Sequence, residues 1–233
     1  MNYKVKILLF LICIFCIPLE NSISLQNNII VSYDDILNEP VKNIDPDKPM
    51  VAITFDDGPT RKYTTSILDT LKKHNAHATF FVLGSRVEIA KDLLERMVLE
   101  GNEIGNHTYS HSQLTLCDDI KIQKEIDKTQ KEIYNVIRRY PNILRPPYGE
   151  YNETLLNHLG EMRLVKWSVD SEDWKSKNPT RIVEKVLHDV KDRDIILLHD
   201  LYITTAQAVE LLVPALQEEG YQLVTVSDLY TFE

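Results

Sequence analysis

Two aspartates stand side by side in Thr54-Phe55-Asp56-Asp57-Gly58-Pro59, directly after the apolar run Val51-Ala52-Ile53. Two histidines follow in His107-Thr108-Tyr109-Ser110-His111. Together they supply three metal ligands and one spare carboxylate. A borderline cation such as Zn²⁺ accepts imidazole nitrogen and carboxylate oxygen, and a hydrolytic site takes three protein ligands while keeping one position for water. On a helix, the His-x-x-x-His spacing brings both imidazoles to one face, one turn apart. A carboxylate beside the ion but not consumed as a ligand suits a base that takes a proton from water. One divalent ion is expected, zinc first, with cobalt, nickel or manganese as alternatives.

The elements that must carry these residues are legible as short β-rich runs alternating with helical patterns. Candidate strands are Val51–Phe55, Thr79–Leu83, Glu103–Asn106, Ile143–Arg145, Leu164–Val169, Ile195–His199 and Gln222–Val226. Helical spacing appears in Ile67, Leu68 and Leu71, in Ala90, Leu93, Leu94, Met97 and Val98, and in Ile122, Ile126, Ile133 and Ile137. Gly101, Gly160 and Gly220 each close a helical pattern before the next strand, and Pro214 is expected to kink the last one. Strict alternation implies parallel strands with helical crossovers. Asp56, His107, Arg145, Asp170 and His199 fall at the C-terminal ends of different candidate strands, and a closed or nearly closed barrel gathers such ends around one mouth. The expected fold is therefore α/β, a distorted (β/α) barrel of about seven units.

Five short motifs occur in one order: Thr54-Phe55-Asp56-Asp57-Gly58-Pro59, His107-Thr108-Tyr109-Ser110-His111, Arg145-Pro146-Pro147-Tyr148-Gly149, Asp170-Ser171-Glu172-Asp173-Trp174 and Ile196-Leu197-Leu198-His199-Asp200. Across about residues 48 to 230, this set resembles the polysaccharide deacetylases of carbohydrate esterase family 4, the NodB-homology domain. The resemblance implies a distorted (β/α) barrel and metal-dependent removal of acetyl groups from amino sugars, some members acting on O-acetylated xylan. By the same resemblance Asp57, His107 and His111 would bind the metal, and Asp56 would be the base. Arg145 would hold and tune Asp56, Asp173 would orient His199 as the acid, and Tyr148 would offer its backbone N–H to the oxyanion. Trp174 and Leu198 would wall the pocket for the acetyl methyl. The expected partner is an acetylated polysaccharide, most readily the N-acetylglucosamine of peptidoglycan. Chitin oligomers, N-acetylmuramic acid units, acetyl-xylan and a non-catalytic glycan-binding role on the same fold are the alternatives.

Composition narrows the rest. With 43% apolar residues among 233, the chain can bury an ordinary globular core. A formal net charge of −9 argues against nucleic acid, whose phosphates call for a clustered basic face. No Gly-x-Ser-x-Gly, P-loop or Gly-x-Gly-x-x-Gly occurs, so neither a serine hydrolase nor nucleotide use is supported. Residues 1–19 read as a targeting element: Lys4 and Lys6 precede an apolar run from Ile7 to Ile17, closed by Pro18. That run falls short of the roughly 20 residues of a membrane span, and no small-x-small cleavage site follows it. A cleaved signal peptide and a retained N-terminal membrane anchor both stay open, and the expected location is extracellular, in the wall or at the membrane. Residues 20–47 read as a polar linker and 48–233 as the catalytic domain. Cys117 is the one cysteine of that domain, so no disulfide is expected within it.

Overall fold

The structure, a computed structural model, describes residues 42–232. The expected targeting element at 1–19, and the linker up to residue 41, lie outside the described residues. β1 (Met50–Asp56) is buried at all seven positions, as a strand covered on both faces requires. There follow α1 (Tyr63–Lys73), β2 (Thr79–Val82), α2 (Lys91–Leu99), β3 (Glu103–Asn106), α3 (Asp119–Ile137), β4 (Ile143–Leu144), β5 (Arg163–Leu164) and β6 (Val169–Asp170). The domain ends with α4 (Pro179–Asp189), β7 (Ile195–His199), α5 (Ile203–Glu218), β8 (Gln222–Val224) and α6 (Val226–Thr231). The strand order is β5-β4-β3-β2-β1-β7-β6, with β8 added along the first half of β1, and the pairings are parallel.

Side chains sort onto the two faces of this curled sheet with a period of two. Val51, Ile53 and Phe55 of β1 join Phe80, Ile196 and Leu198 in the helix-side core, packed with Ile67, Leu68, Leu94, Ile133, Val209 and Leu212. Met50 and Ala52 join Phe81, Ile143, Val165, Ile195 and Val224 in the barrel interior, where Val226 and Leu229 of α6 fill the space. Helices α3 and α4 start on side-chain caps: Asp118 accepts from the Lys121 N–H before α3, and Asn178 from the Arg181 N–H before α4.

Several expectations meet a different or more specific outcome. The run expected as one strand, Leu164–Val169, is two strands on opposite edges of the sheet: β5 pairs with β4, and β6 with β7. Between them the chain crosses the gap, the Val165 N–H reaching the Leu144 carbonyl at 2.8 Å and the Ser168 N–H the Ile195 carbonyl at 3.0 Å. One strand pairs only at about 4.8 Å from its neighbour, so a wider gap is spanned by irregular chain, and the barrel is curled without full closure. The last strand stops at Val224, because Thr225 and Asp228 exchange side-chain and backbone hydrogen bonds as a capping box and draw Val226 into α6. Helix α5 continues through Pro214 as one element. Residues 42–47, expected as linker, pack on the domain: Lys42 pairs with Asp228 at 2.7 Å, the Asp45 N–H reaches Gln222 Oε1 at 2.8 Å, and Ile44 touches the interior cluster. Among the described residues, no helix is long and apolar enough to cross a membrane.

Candidate active site and metal centre

The register of β1 against β7 pairs Thr54 with Leu197 and Asp56 with His199. Directly paired residues of neighbouring strands share a face, so Asp56 and His199 stand side by side at the C-terminal mouth. His107 follows β3 and Arg145 follows β4, which brings the side chains of four strand ends to one place. Asp170, at the end of β6, accepts the Glu172 N–H at 2.8 Å and serves the turn.

Asp57 leaves β1 with a left-handed backbone (φ 74°). Its Oδ1 lies 3.4 Å from His107 Nε2 and 3.2 Å from His111 Nε2, and the ligand atoms of the three residues lie within 4.8 Å of one another. His107 Nδ1 is 2.7 Å from the Arg145 carbonyl oxygen, which only accepts. The ring proton therefore sits on Nδ1, and Nε2 is left with a lone pair aimed at Asp57. Asp57 Oδ1 is buried with no hydrogen-bond donor. A buried carboxylate oxygen without a donor, beside two imidazole nitrogens, is a donor set that a divalent ion of zinc type fits. The His107–His111 segment is not the expected helix. It is a loop in which Thr108 (φ 67°) and His111 (φ 61°) are left-handed, and this conformation, rather than a helical turn, brings both rings to Asp57.

Asp56 is 4% exposed and receives Arg145 Nη1 at 2.8 Å on Oδ1. Arg145 is fully buried. Its guanidinium also reaches Thr54 Oγ1 at 2.7 Å and the Lys166 carbonyl at 2.9 Å, and it lies over the Phe81 ring at 4.1 Å. A desolvated guanidinium held this way keeps a planar fork pointed at one carboxylate oxygen.

Opposite, Asp173 is fully buried and accepts four hydrogen bonds. Its donors are His199 Nδ1–H and the His199 backbone N–H, both at 2.8 Å, Thr205 Oγ1 at 2.7 Å and the Trp174 N–H at 2.8 Å. Burial works against the His199 imidazolium, but the Asp173 hydrogen bond and charge, helped by Asp56 and Asp57, push its pKa up to about 9. The pair is a histidine kept charged beside an acceptor carboxylate.

The expected pocket residues divide. Tyr148 lies in a left-handed turn (φ 63°), and its exposed ring meets His111 edge-on at 4.9 Å. Trp174, next to Asp173, is half exposed. Leu198 is buried in the helix-side core with Phe55, on the face opposite His199. The residue on the site's face is Leu197, two positions before His199 and paired with Thr54; strand alternation carried that signal in the sequence. Asp200, inside the last motif, was given no role there. It is 1% exposed, receives the Thr64 hydroxyl on Oδ2, and packs so closely on Gly58 that a Cβ there would sit 2.0 Å from Oδ2. Burial, with the charge of Asp57, pushes its pKa up to about 7.

The chain matches the family model described as polysaccharide deacetylase over residues 43–166. It is 45% identical over 188 residues to the peptidoglycan-N-acetylmuramic acid deacetylase PdaC of Bacillus subtilis, covering 81% of this chain and 40% of that protein. It is 41% identical over 180 residues to the peptidoglycan-N-acetylglucosamine deacetylase PgdA of Listeria monocytogenes, covering 77% of this chain and 38% of that protein. The chain thus spans about two fifths of the length of these relatives. The solved structure of B. subtilis PdaC superposes with a TM-score of 0.79 at 45% identity, over 81% of this chain and 93% of that one. A family match over more than half of the chain, a shared curled (β/α) barrel and the five motifs in order lead to one conclusion: the chain belongs to the polysaccharide deacetylase family.

Proposed function

We propose that the chain hydrolyses N-acetyl groups of amino sugars in an acetylated polysaccharide, with the N-acetylglucosamine of peptidoglycan as the substrate unit and one divalent metal ion, zinc first, as cofactor. The observation that carries this reading is the facing of two groups with opposite proton demands. Asp56 is a buried acceptor beside the Asp57, His107 and His111 set, and His199, in register on the next strand, is held charged by Asp173. Hydrolysis of an acetamide requires a nucleophile, stabilisation of an oxyanion and protonation of an amine that cannot leave as an anion.

Held by Asp57, His107 and His111, a divalent ion would supply Lewis-acid polarisation of the acetyl carbonyl and of water. The chain's own groups divide the proton work. Asp56 accepts a proton from the attacking water, with Arg145 fixing its second oxygen so that one oxygen faces the reaction. The backbone N–H of Tyr148 donates to the carbonyl oxygen as charge develops there. His199 gives the proton on Nε2 to the departing nitrogen as the C–N bond breaks, leaving acetate and a free amine, while Asp173 keeps Nδ1–H pointed inward and offsets the imidazolium charge. Leu197, in place of Leu198, and Trp174 form the wall against the acetyl methyl.

An exported location agrees with a wall polymer as substrate and with the targeting element expected at 1–19. The test is to incubate the chain with purified peptidoglycan, chitin oligomers and acetyl-xylan, with and without a chelator, and to quantify acetate. Mass spectrometry of muramidase fragments then assigns the sugar that lost its acetyl group. Chelator-sensitive acetate from peptidoglycan is expected; none from any amino-sugar polymer sinks the reading. The muramic acid named for PdaC is the competing unit, and the fragment masses separate it from glucosamine.

A further inference from the structure

The loop that carries both candidate histidine ligands is held by a residue that none of the five motifs contains. In the segment from His107 to His111, every backbone N–H can be assigned. His107 donates to the Val82 carbonyl at 3.1 Å, Thr108 to Asn106 Oδ1 at 2.8 Å, and His111 to Thr108 Oγ1 at 3.2 Å. The two in the middle, Tyr109 and Ser110, both donate to Oε2 of Glu125 on α3, at 2.9 and 2.7 Å. The other carboxylate oxygen takes the Ser110 hydroxyl at 2.8 Å and Lys121 Nζ at 2.7 Å. Glu125 is 3% exposed, an unusual setting for a glutamate on a surface helix.

This acceptor matters because the loop does not hold its shape by itself. Thr108 and His111 have φ of 67° and 61°. Left-handed backbone is uncommon for residues other than glycine, and a genuine outlier for a β-branched one such as Thr108. Such conformations persist where the surroundings over-determine them. The loop's carbonyls are taken from the other side: Thr108 O by the Gly84 N–H and Tyr109 O by the Ser85 N–H, both at 3.0 Å. The strained turn is thus gripped between the Gly84 region and Glu125, and His111 Nε2 is thereby set 3.2 Å from Asp57 Oδ1.

We propose that Glu125 is a positioning residue for the metal centre, bracing the His107–His111 loop so that His111 completes the ligand set. The proposal rests on the reading that Asp57, His107 and His111 bind a divalent ion. The requirement is for one acceptor oxygen at the place of Oε2, reached by a side chain of this length. Glu125→Gln retains such an oxygen for the two N–H groups, whereas Glu125→Ala removes it and Glu125→Asp withdraws it by one methylene while keeping the charge and the helix.

The experiment measures the apparent Zn²⁺ dissociation constant by competition with a chromogenic chelator. Alongside it are recorded the visible spectrum of the Co²⁺-loaded protein and the thermal unfolding of the metal-free protein. Native chain, Glu125→Gln, Glu125→Asp, Glu125→Ala and a Lys121→Ala control are compared. Loss of an outer-shell partner typically weakens metal affinity about 10- to 100-fold. That loss is expected for Glu125→Ala and Glu125→Asp, with an altered Co²⁺ spectrum. Glu125→Gln and Lys121→Ala should stay close to native. Should Glu125→Ala fail to fold, Glu125→Asp carries the test alone. Native Zn²⁺ affinity and an unchanged Co²⁺ spectrum in Glu125→Asp overturn the positioning role while leaving the metal reading intact. A native chain that binds no Zn²⁺ overturns the metal reading and the proposal together.

Discussion

Replacing Asp173 by Asn keeps the size and one acceptor oxygen while removing the charge that faces His199. In the native site the His199 pKa stands at about 9 against an ordinary 6.5. At about 1.4 kcal/mol per pKa unit, the surrounding carboxylates favour the imidazolium by on the order of 3 kcal/mol after burial has been opposed. Burial persists in the variant, and with Asp173 neutral the largest opposing influence is gone, so the pKa falls to the ordinary value or below. At pH 7.5 the charged form then drops from nearly complete to roughly a tenth, and kcat/KM falls at least about tenfold from protonation alone. Activity recovers as the pH is lowered, until the base is protonated. The alkaline limb of the bell-shaped profile, a property of the coupled site, should move toward acid by about two units. A divalent ion bound nearby lowers the His199 pKa in both proteins and leaves the direction of the difference unchanged. The linkage has the same sign in folding: a histidine pKa raised in the folded state contributes stability that is complete below pH 6.5 and is lost as the pH rises through about 9. The assays are the pH dependence of kcat/KM on an N-acetylglucosamine oligomer and NMR titration of the His199 ring in the metal-free protein. His199→Ala, measured on the same oligomer and on an aryl acetate, should lose more on the amide, because a phenolate leaves without an acid. An unmoved alkaline limb together with equal losses on the two substrates would refute His199 as the acid.

Asp57→Ala, His107→Ala and His111→Ala should each lose most of the bound metal, since two remaining ligands hold a divalent ion poorly; metal analysis of the purified variants checks this, and full occupancy in all three removes the assignment. Asp56→Asn should retain metal while activity falls by roughly 10²- to 10⁴-fold, the usual worth of a positioned base, and near-normal turnover would place the base elsewhere. Leu198→Ala, which opens the helix-side core, should cost about 2–5 kcal/mol of stability with KM little changed. Leu197→Ala should instead lower kcat/KM more than its stability loss explains; thermal unfolding and steady-state kinetics on both variants distinguish the two faces. Gly58→Ala would drive a methyl into the Asp200 carboxylate, 2.0 Å from the new Cβ, so destabilisation of about 1–3 kcal/mol is expected. An unchanged unfolding midpoint would mean that this contact yields freely.

The candidate site was largely legible in one dimension. Asp56, Asp57, His107, His111, Arg145, Asp173 and His199 stand in short motifs whose residue types fit the proposed ligands, base and acid, and the fold brings all seven to one mouth. The barrel was readable too, because strands and helices are local patterns of period two and about 3.6. Motif identity was less informative about direction. Leu198 carries the right residue type, yet it points into the helix-side core with Phe55, and the register that puts Leu197 beside Thr54 is a pairing with a strand more than a hundred residues away.

Sequence alone determined which side chains are available and in what order the chain delivers them, since composition and local periodicity need no partner. Only the tertiary structure decided how they are held. The crossing at 165–168, between sheet edges that one strand cannot reach together, is a property of the curled sheet as a whole. The helical spacing of His107 and His111 was overruled by a left-handed loop, which persists because Glu125 on α3 and the Gly84 region grip it from two sides. In the sequence Glu125 is one acid among several charged residues of its segment, and Asp200 is the last residue of a motif. Their burial, and the donors that satisfy them, come from segments distant in sequence. Long-range packing of this kind leaves no local signature, because a carboxylate's environment is set by what folds over it.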